Sequence, residues 1–193
     1  MPEIDLDRER KLLDREITFF HFKKAKKKVI KCLKIAKKIR SDFFFFYFLA
    51  QKYILEEKFY WAIYYLDRAI KLRESDGCSY NDKAICLADL GKYNEALNCF
   101  NQGIKRDPNC VSLYHNKGWL LNLLGRHKEA ILCFKKALEL EDNRAETLYS
   151  LADTYLNLNQ KERARKYFLK TIKAVYGKSK FVYRETLKRL KEI

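Results

Sequence analysis

Glycine and proline are scarce in this sequence, which has 6 glycines and 2 prolines among 193 residues. Neither residue occurs between Pro2 and Gly77. Both residues serve the frequent tight turns that an all-β fold requires, and proline breaks the interior of a helix. The sequence therefore predicts an all-α protein.

Long apolar runs are also missing. The most apolar stretch is "FFFFYFLA" at residues 43–50, and it ends at Gln51 and Lys52. A membrane-spanning helix needs about 20 apolar residues. The N-terminal segment "MPEIDLDRER" is polar and acidic, unlike a secretory signal. We therefore expect a soluble protein with no membrane span that stays in the cytoplasm.

Sequence patterns of catalysis and metal binding are absent as well. The chain has no GxxxxGK[ST], GxSxG or HExxH motif, which are the patterns of phosphate-binding, acyl-transfer and zinc sites. Its 3 histidines and 6 cysteines show no zinc spacing, and we expect the cysteines to be reduced and packed. Asp82 and Asp89 are interpreted as two solvated surface acids. We expect no enzymatic activity, no catalytic residues, no metal site and no cofactor.

One set of side chains recurs every 34 residues. In three places an alanine is followed four residues later by a phenylalanine, and a small residue lies twelve residues before that alanine. The recurring sets are Ala84, Ala96 and Phe100; Gly118, Ala130 and Phe134; and Ala152, Ala164 and Phe168. The same interval leads back to Ala50, Ala62 and Leu66. Four units therefore begin near residues 43, 77, 111 and 145.

Each unit is predicted to form two amphipathic helices joined by a tight turn. The segments "LGKYNEA" (90–96) and "LGRHKEA" (124–130) place a glycine where the first helix ends. Together with "EALNCF" (95–100) and "EAILCF" (129–134), they resemble the tetratricopeptide repeat family. The resemblance implies a right-handed solenoid of stacked antiparallel helix pairs. It also implies a non-enzymatic scaffold for protein–protein interaction, which binds a peptide or helix of another protein in a concave groove.

The four repeats, at residues 43–178, leave two flanking segments. Residues 1–42 are interpreted as a basic helical region and a degenerate repeat, formed by one helix or by a pair at about 3–18 and 21–40. Residues 179–193 are interpreted as a capping helix that begins after Ser179. We expect apolar residues of this helix, including Phe181 and Leu187, to cover the last repeat.

The run of rings at residues 43–48 exceeds what one repeat buries between its own two helices. Consecutive residues point to different sides of a helix, so several of these rings need another cover. An apolar stripe in the N-terminal region can supply it. Its members are Phe22, Ala25, Val29, Leu33, Ala36 and Ile39. The alternative is that some rings stay open for a partner.

The resemblance also implies where a partner would bind, because the first helix of each repeat lines the concave face in this family. By the phase of the repeat, the groove residues are Tyr47, Gln51, Asn81, Ile85, Asp89, His115, Trp119, Asn122, Tyr149, Asp153 and Asn157. Rings supply contact area, and amides bond to an extended backbone. Trp119 is the expected hot spot.

Positive charge is concentrated at the two ends of a chain whose net charge is +16. Residues 17–40 carry a net +10 and residues 161–193 a net +9. A stripe on the first of these segments consists of Lys24, Lys27, Lys28, Lys31, Lys34 and Lys38. As an alternative function, the two basic ends favour an RNA- or polyanion-binding module. A solvated face that keeps the protein soluble is the other interpretation.

Overall fold

The computed structural model describes residues 5–18, 22–175 and 179–193. Within these residues the regular structure consists of eleven α-helices, which confirms the all-α prediction. The helices are α1 (Leu6–Thr18), α2 (Phe22–Lys38), α3 (Asp42–Leu55), α4 (Phe59–Leu72), α5 (Gly77–Asp89), α6 (Tyr93–Arg106), α7 (Val111–Leu123), α8 (His127–Leu140), α9 (Ala145–Asn157), α10 (Lys161–Val175) and α11 (Lys180–Lys191). The expected break between the two N-terminal helices falls at residues 19–21, outside the described residues, and the side chain of Phe22 lies outside them too.

The helices form two compact units, Met1–Asp107 and Pro108–Ile193. In the N-terminal unit, consecutive helices from α1 to α6 pack as stacked pairs. In the C-terminal unit, α7 to α11 pack in the same way. The second helices of the pairs, α4, α6, α8 and α10, begin at Phe59, Tyr93, His127 and Lys161, which are 34 residues apart. The interval found in the sequence is therefore the interval between successive helix pairs.

The four helix pairs α3–α4, α5–α6, α7–α8 and α9–α10 each have, at the same place in the turn, a residue in the left-handed conformation. Gly91 and Gly125 both have φ of +74°. The corresponding turns of the first and last pairs use Glu57 and Asn159, with φ of 58° and 56°. In every case the next amide donates to a carbonyl five residues earlier, over 2.8–2.9 Å. The backbone turn is therefore kept even where the sequence lacks glycine, at the small cost that a side chain in this conformation carries.

The recurring alanine, glycine and phenylalanine residues lie where the two helices of a pair meet. Phe100, Phe134 and Phe168 are fully buried, or nearly so. A methyl group built on Gly118 would lie 2.9 Å from the Phe134 ring, closer than carbon atoms approach without a shift. The ring therefore fills the space that the small residue leaves, which is how the repeat sets the spacing of its helices.

Helix α2 covers the aromatic run of α3, although not with the whole predicted stripe. Ala25, Val29 and Ala36 are buried as expected, and so are the side chains of Tyr47 and Phe48 that need a cover. Cys32, not Leu33, takes the buried place between Val29 and Ala36. Ile39 lies beyond the end of α2 and is 55% exposed. A spacing of four, three and four residues keeps one face of a helix. Leu33 lies at the edge of this face and is partly buried against the core, whereas Ile39 falls outside it.

Helix α11 packs against α10 and begins as predicted. The Ser179 hydroxyl accepts a hydrogen bond from the Val182 amide at 3.3 Å, so the predicted N-cap is confirmed. Of the residues expected to cover the last repeat, Phe181 and Leu187 are exposed, whereas Val182 and Leu190 are partly buried. Thr186 is the fully buried residue of this helix, and its hydroxyl donates to the Val182 carbonyl at 2.6 Å.

Replacing Phe134 with alanine tests the packing that spaces the helices. We expect Phe134→Ala to lower the free energy of unfolding by about 3–5 kcal/mol, because it opens a cavity beside Gly118. Leu132→Ala is the matched control, since Leu132 lies on the same helix and is 68% exposed. Urea titration followed by circular dichroism measures both. Equal losses for the two variants would contradict the packing described here.

Candidate interaction surfaces

Three of the predicted groove residues, all in the N-terminal unit, are buried around one carboxylate. The Tyr47 hydroxyl donates to Asp82 Oδ2 at 3.0 Å, and the Gln51 amide donates to the same oxygen at 2.5 Å. The Asn81 amide donates to Asp82 Oδ1 at 3.1 Å. Tyr47, Gln51 and Asn81 were expected to face a partner, and the structure instead turns them into the core. They hold α3 against α5.

The N-terminal helix closes this cluster with a buried ion pair. Arg10 of α1 donates to both carboxylate oxygens of Asp76, at 2.7 and 2.8 Å. Its guanidinium also lies 4.0 Å from the centre of the Tyr47 ring. Asp76 is the N-cap of α5 and accepts from the Ser79 amide at 2.9 Å. Arg10 therefore ties α1 to the start of α5 and covers the face on which Tyr47 was expected to be open.

Asp82 is not the solvated acid that the sequence predicted. Its side chain is buried, and burial raises the pKa of its carboxyl group to about 6 against the opposing effect of hydrogen bonds from Tyr47 and Asn81. Asp89 is exposed, as expected. The local sequence could not reveal the burial of Asp82, because its partners Tyr47 and Gln51 lie 35 and 31 residues away.

In the C-terminal unit, α7 presents an apolar pair to solvent. Trp119 is 48% exposed, and Leu123, one turn later on the same face, is also exposed. Asn122 beside them is partly buried, and its side-chain oxygen lies 2.7 Å from His127 Nδ1. Trp119 therefore has the exposure that its predicted role requires, and Leu123 extends the surface beyond the residues that the sequence indicated.

His115 joins α7 to α9 and does not face a partner. Its Nδ1 lies 3.0 Å from the hydroxyl of the buried Thr147, and its ring lies 5.8 Å from the Phe134 ring. Burial lowers the pKa of His115 to about 3, and the positive charge of Arg144 adds to the effect. The imidazole is therefore neutral at ordinary pH, and its role is to link the two helices.

Helix α11 occupies part of the predicted groove on α9. Arg189 donates to Asp153 at 2.9 Å. Tyr149 packs edge-on against Phe168, with ring centres 5.5 Å apart. Asn157 and Asp89 are exposed, and Ile85 is partly buried. Of the eleven predicted groove residues, Trp119 is therefore the large apolar one that stays open to solvent.

The predicted lysine stripe lies on the surface of α2. Lys24, Lys27, Lys31, Lys34 and Lys38 are exposed, while Lys28 pairs with Glu9 at 3.3 Å. Helix α2 contains no acidic residue, and Lys23, Lys26 and Lys37 add to its exposed charge. The structure thus presents an almost continuous positive surface around the buried stripe of Ala25, Val29, Cys32 and Ala36.

The part of the chain that the structure describes holds no group of three His, Cys, Asp or Glu side chains placed to bind a metal ion. No helix among the same residues is long and apolar enough to cross a membrane. The six cysteines are free thiols. Burial raises the pKa of the Cys32 and Cys99 thiols to about 11, which keeps these two protonated and unreactive.

Comparison with known proteins decides the family. Models of the tetratricopeptide repeat match residues 77–142 and 133–166. The chain is a tetratricopeptide repeat protein. Among curated proteins, none matches the sequence. The family models cover the two central repeats, which hold both turn glycines and two of the three Ala-x3-Phe pairs, and part of the last repeat.

Solved structures share the fold of this tetratricopeptide repeat protein at low sequence identity. A thermophilic TPR protein of Thermus thermophilus is 18% identical, with 95% of this chain and 99% of that chain covered and a TM-score of 0.75. A MamA crystal structure is 18% identical, with coverage of 91% and 98% and a TM-score of 0.64. MamA from Desulfovibrio magneticus RS-1 is 16% identical, with coverage of 90% and 97% and a TM-score of 0.62. These likenesses extend the shared fold to nearly the whole chain.

The partly buried His115 makes stability depend on pH in a definite direction. A histidine titrates near pH 6.5 in an unfolded chain, and His115 in the folded protein has a pKa of about 3. Between these values the unfolded chain binds more protons, so the free energy of unfolding falls as the pH is lowered below 6.5. Relative to His115→Gln, we expect the wild type to lose on the order of 2 kcal/mol between about pH 7 and pH 5. Urea titrations of both proteins at each pH measure the free energy of unfolding. If this free energy changed with pH equally in the wild type and in His115→Gln, the prediction would be contradicted.

Proposed function

We propose that this tetratricopeptide repeat protein is a non-enzymatic scaffold that binds a peptide or helix of another protein, in the cytoplasm. The observation that carries the proposal is the exposed pair of Trp119 and Leu123 on α7. In this family the first helix of a repeat is the one that lines the concave groove, and α7 is such a helix. The partner is expected to contact the first helices, with Trp119 as the principal anchor.

The chemistry of this face suits a protein partner. A tryptophan brings a large apolar area with one hydrogen-bond donor, and such residues dominate the energy of protein interfaces. The amide of Asn122 and the exposed Asn157 can bond to an extended backbone. On α9, the contact between Arg189 and Asp153 covers part of the face, so the expected binding surface in the C-terminal unit is centred on α7.

Trp119→Ala tests the scaffold function. Peptides selected on the wild-type protein from a random library should bind the variant at least tenfold more weakly, since hot-spot truncations cost about 2 kcal/mol or more. Leu132→Ala is the matched control, because it removes an exposed leucine of the second helix α8. Titration calorimetry gives the affinities, and circular dichroism checks the fold. Unchanged affinity of every selected peptide for Trp119→Ala would contradict the proposal.

A second candidate function is the binding of RNA or another polyanion through the basic ends. It is favoured by the exposed lysines of α2, a helix that carries no acid. Exposed bases on α10 and α11 contribute at the other end, including Arg165, Lys166 and Lys188. Lysines spread over a helix surface neutralise phosphates without reading sequence, and binding of that kind releases counterions. This function uses surfaces other than the Trp119 face, so the two functions are separable.

Charge removal on α2 tests the polyanion function. Replacing Lys24, Lys27 and Lys31 together by glutamine should weaken binding to a nucleic-acid duplex and reduce the magnitude of its logarithmic salt slope by about 2 to 3. The matched control makes the same change of net charge at the exposed Lys105, Lys128 and Lys135, outside α2. Fluorescence anisotropy over a salt series measures both variants. Salt-independent binding, or equal effects of the two variants, would contradict the role of α2.

A further inference from the structure

Helix α4 carries an exposed aromatic patch, formed by Tyr60, Trp61 and Tyr64, in the N-terminal unit. These side chains are 68%, 55% and 49% exposed. Tyr64 lies three residues after Trp61 and four residues after Tyr60, so its side chain neighbours both of the others on the helix surface. Single exposed rings are ordinary, whereas a contiguous exposed group marks an interaction site. Neither the peptide-binding face on α7 nor the lysine stripe on α2 includes this patch.

The patch is the open end of a stack of rings. Phe46, Tyr65, Tyr53 and Trp61 follow one another with ring centres 6.2, 5.5 and 6.2 Å apart. Their planes differ by 19°, 2° and 27°, so the stack is close to parallel. Trp61 is the last ring. Tyr64 stands at 83° to it, with the centres 6.2 Å apart, and forms a corner beside the indole.

Because Trp61 ends the stack and is exposed, one more planar group can stack on its ring. The inner rings Phe46, Tyr53 and Tyr65 belong to the partly buried shell of the core of the N-terminal unit, so Trp61 lies against a rigid support. A ligand that stacks on Trp61 therefore meets a pre-formed surface and loses little free energy to the ordering of side chains. Nucleobases, which have an aromatic face, fit such a site without any requirement for sequence.

The charges around the patch favour an anionic ligand. The Arg68 guanidinium lies 4.4 Å from the Phe46 ring, and it donates to the Tyr64 hydroxyl at 3.2 Å. Lys52 lies 5.4 Å from the Tyr53 ring, and Lys92 lies 5.9 Å from the Tyr60 ring. The acid one residue before Arg68, Asp67, is paired with Lys83 at 2.6 Å. Lys52 also pairs with Glu56 at 3.7 Å, and Lys92 pairs with Glu95 at 3.6 Å. Both pairs lie at the surface, where a phosphate can replace the carboxylate at small cost. Arg68, Lys52 and Lys92 thus lie beside the rings where the phosphates of a stacked strand would run.

The other repeats show that the fold does not require these rings. The positions 34, 68 and 102 residues after Trp61 hold Glu95, Glu129 and Arg163, and those after Tyr64 hold Asn98, Leu132 and Lys166. The last pair even repeats the inner stack, because the rings of Tyr155 and Tyr167 lie 5.6 Å apart at 17°. There the place of Trp61 is taken by Arg163, whose guanidinium lies 5.7 Å from the Tyr155 ring. Among the four described repeat pairs, the first is the one that ends its stack in an exposed aromatic ring.

We propose that the aromatic patch on α4 is a base-stacking site for single-stranded nucleic acid. A base stacks on Trp61 in the corner made with Tyr64, and Arg68, Lys52 and Lys92 meet the phosphates. The proposal is independent of the peptide-binding function. It deepens the polyanion function and rests on it for the long-range attraction of the strand, to which the lysines of α2 in the same unit contribute.

The experiment separates stacking from charge by comparing two probes. One is a fluorescein-labelled oligouridylate of about 12 nucleotides, and the other is an abasic strand of the same length and charge. We expect the wild type to bind the oligouridylate more tightly than the abasic strand. Trp61→Ala should weaken oligouridylate binding about 5- to 100-fold, as the loss of base–aromatic stacking does elsewhere. It should leave binding of the abasic strand unchanged, because the lysines remain.

A second readout uses the intrinsic fluorescence of the patch. The chain has 2 tryptophans, Trp61 and Trp119, so Trp119→Phe leaves Trp61 as the only tryptophan. We expect the oligouridylate to quench this fluorescence and the abasic strand to leave it unchanged. Leu132→Ala, which removes another exposed apolar side chain from a second helix, should behave as the wild type.

Four results would overturn the base-stacking site. Equal affinity of the wild type for both strands, with a normal salt slope, would leave the polyanion function standing and refute stacking on Trp61. Loss of binding to both strands in Trp61→Ala, with the circular dichroism unchanged, would refute the assignment of base stacking to Trp61 and of phosphate binding to the lysines and Arg68. A proline-rich peptide that quenches Trp61 when neither strand does would identify the patch as a peptide site. Absence of binding to any strand would refute the polyanion function as well.

Discussion

The contact between a small residue on the first helix and a buried phenylalanine on the second is the constraint on which the structure depends. At Gly118 the Phe134 ring lies so close that even a methyl group would collide with it. Ala84 and Ala152 are fully buried at the equivalent positions, with Phe100 and Phe168 buried in the same way. Since interiors pack densely, this contact fixes the separation of the two helices. Successive helix pairs therefore have the same separation between their two helices, and each pair can pack on the one before it in the same way.

The first repeat meets the same constraint with a different set of side chains. Leu66 replaces the phenylalanine, and α1 and α2 pack against the core that contains the buried rings Phe43, Tyr47 and Phe48 of α3. Burial of Arg10 and Asp76 gives up much of their hydration, and such pairs contribute more to the choice of one arrangement than to net stability. Arg10 Nη2 donates to both carboxylate oxygens of Asp76, at 2.7 and 2.8 Å, and this contact ties α1 to the start of α5. If α1 had an apolar residue in place of Arg10, its contact with the rings of α3 would not fix its position along them.

The sequence predicted the features that recur in every repeat, and it did not predict the side-chain contacts that occur only once in the chain. The 34-residue interval indicated the helix pairs, their turns and the buried Phe134, because one rule applies to every copy. It could not show that Tyr47 and Gln51 turn inward, since their partner Asp82 lies one repeat away and Arg10 lies outside the repeats. The same phase placed Trp119 on the surface, where it is 48% exposed. The contact of Arg189 with Asp153 was missed for a similar reason, because nothing local links α11 to α9.

In a repeat protein, equivalent positions of successive repeats can be compared to show which residues the fold requires and which can vary. Buried positions keep their residue type from pair to pair, as Ala96, Ala130 and Ala164 do. Exposed positions on the second helices vary, and polar residues there are sufficient for folding. Folding of a helix pair therefore does not require a ring at the place of Trp61, because Glu95 and Glu129 hold the same place in well-formed pairs. An exposed ring costs solubility, and its presence at one position of four is accounted for by a contact made outside the fold.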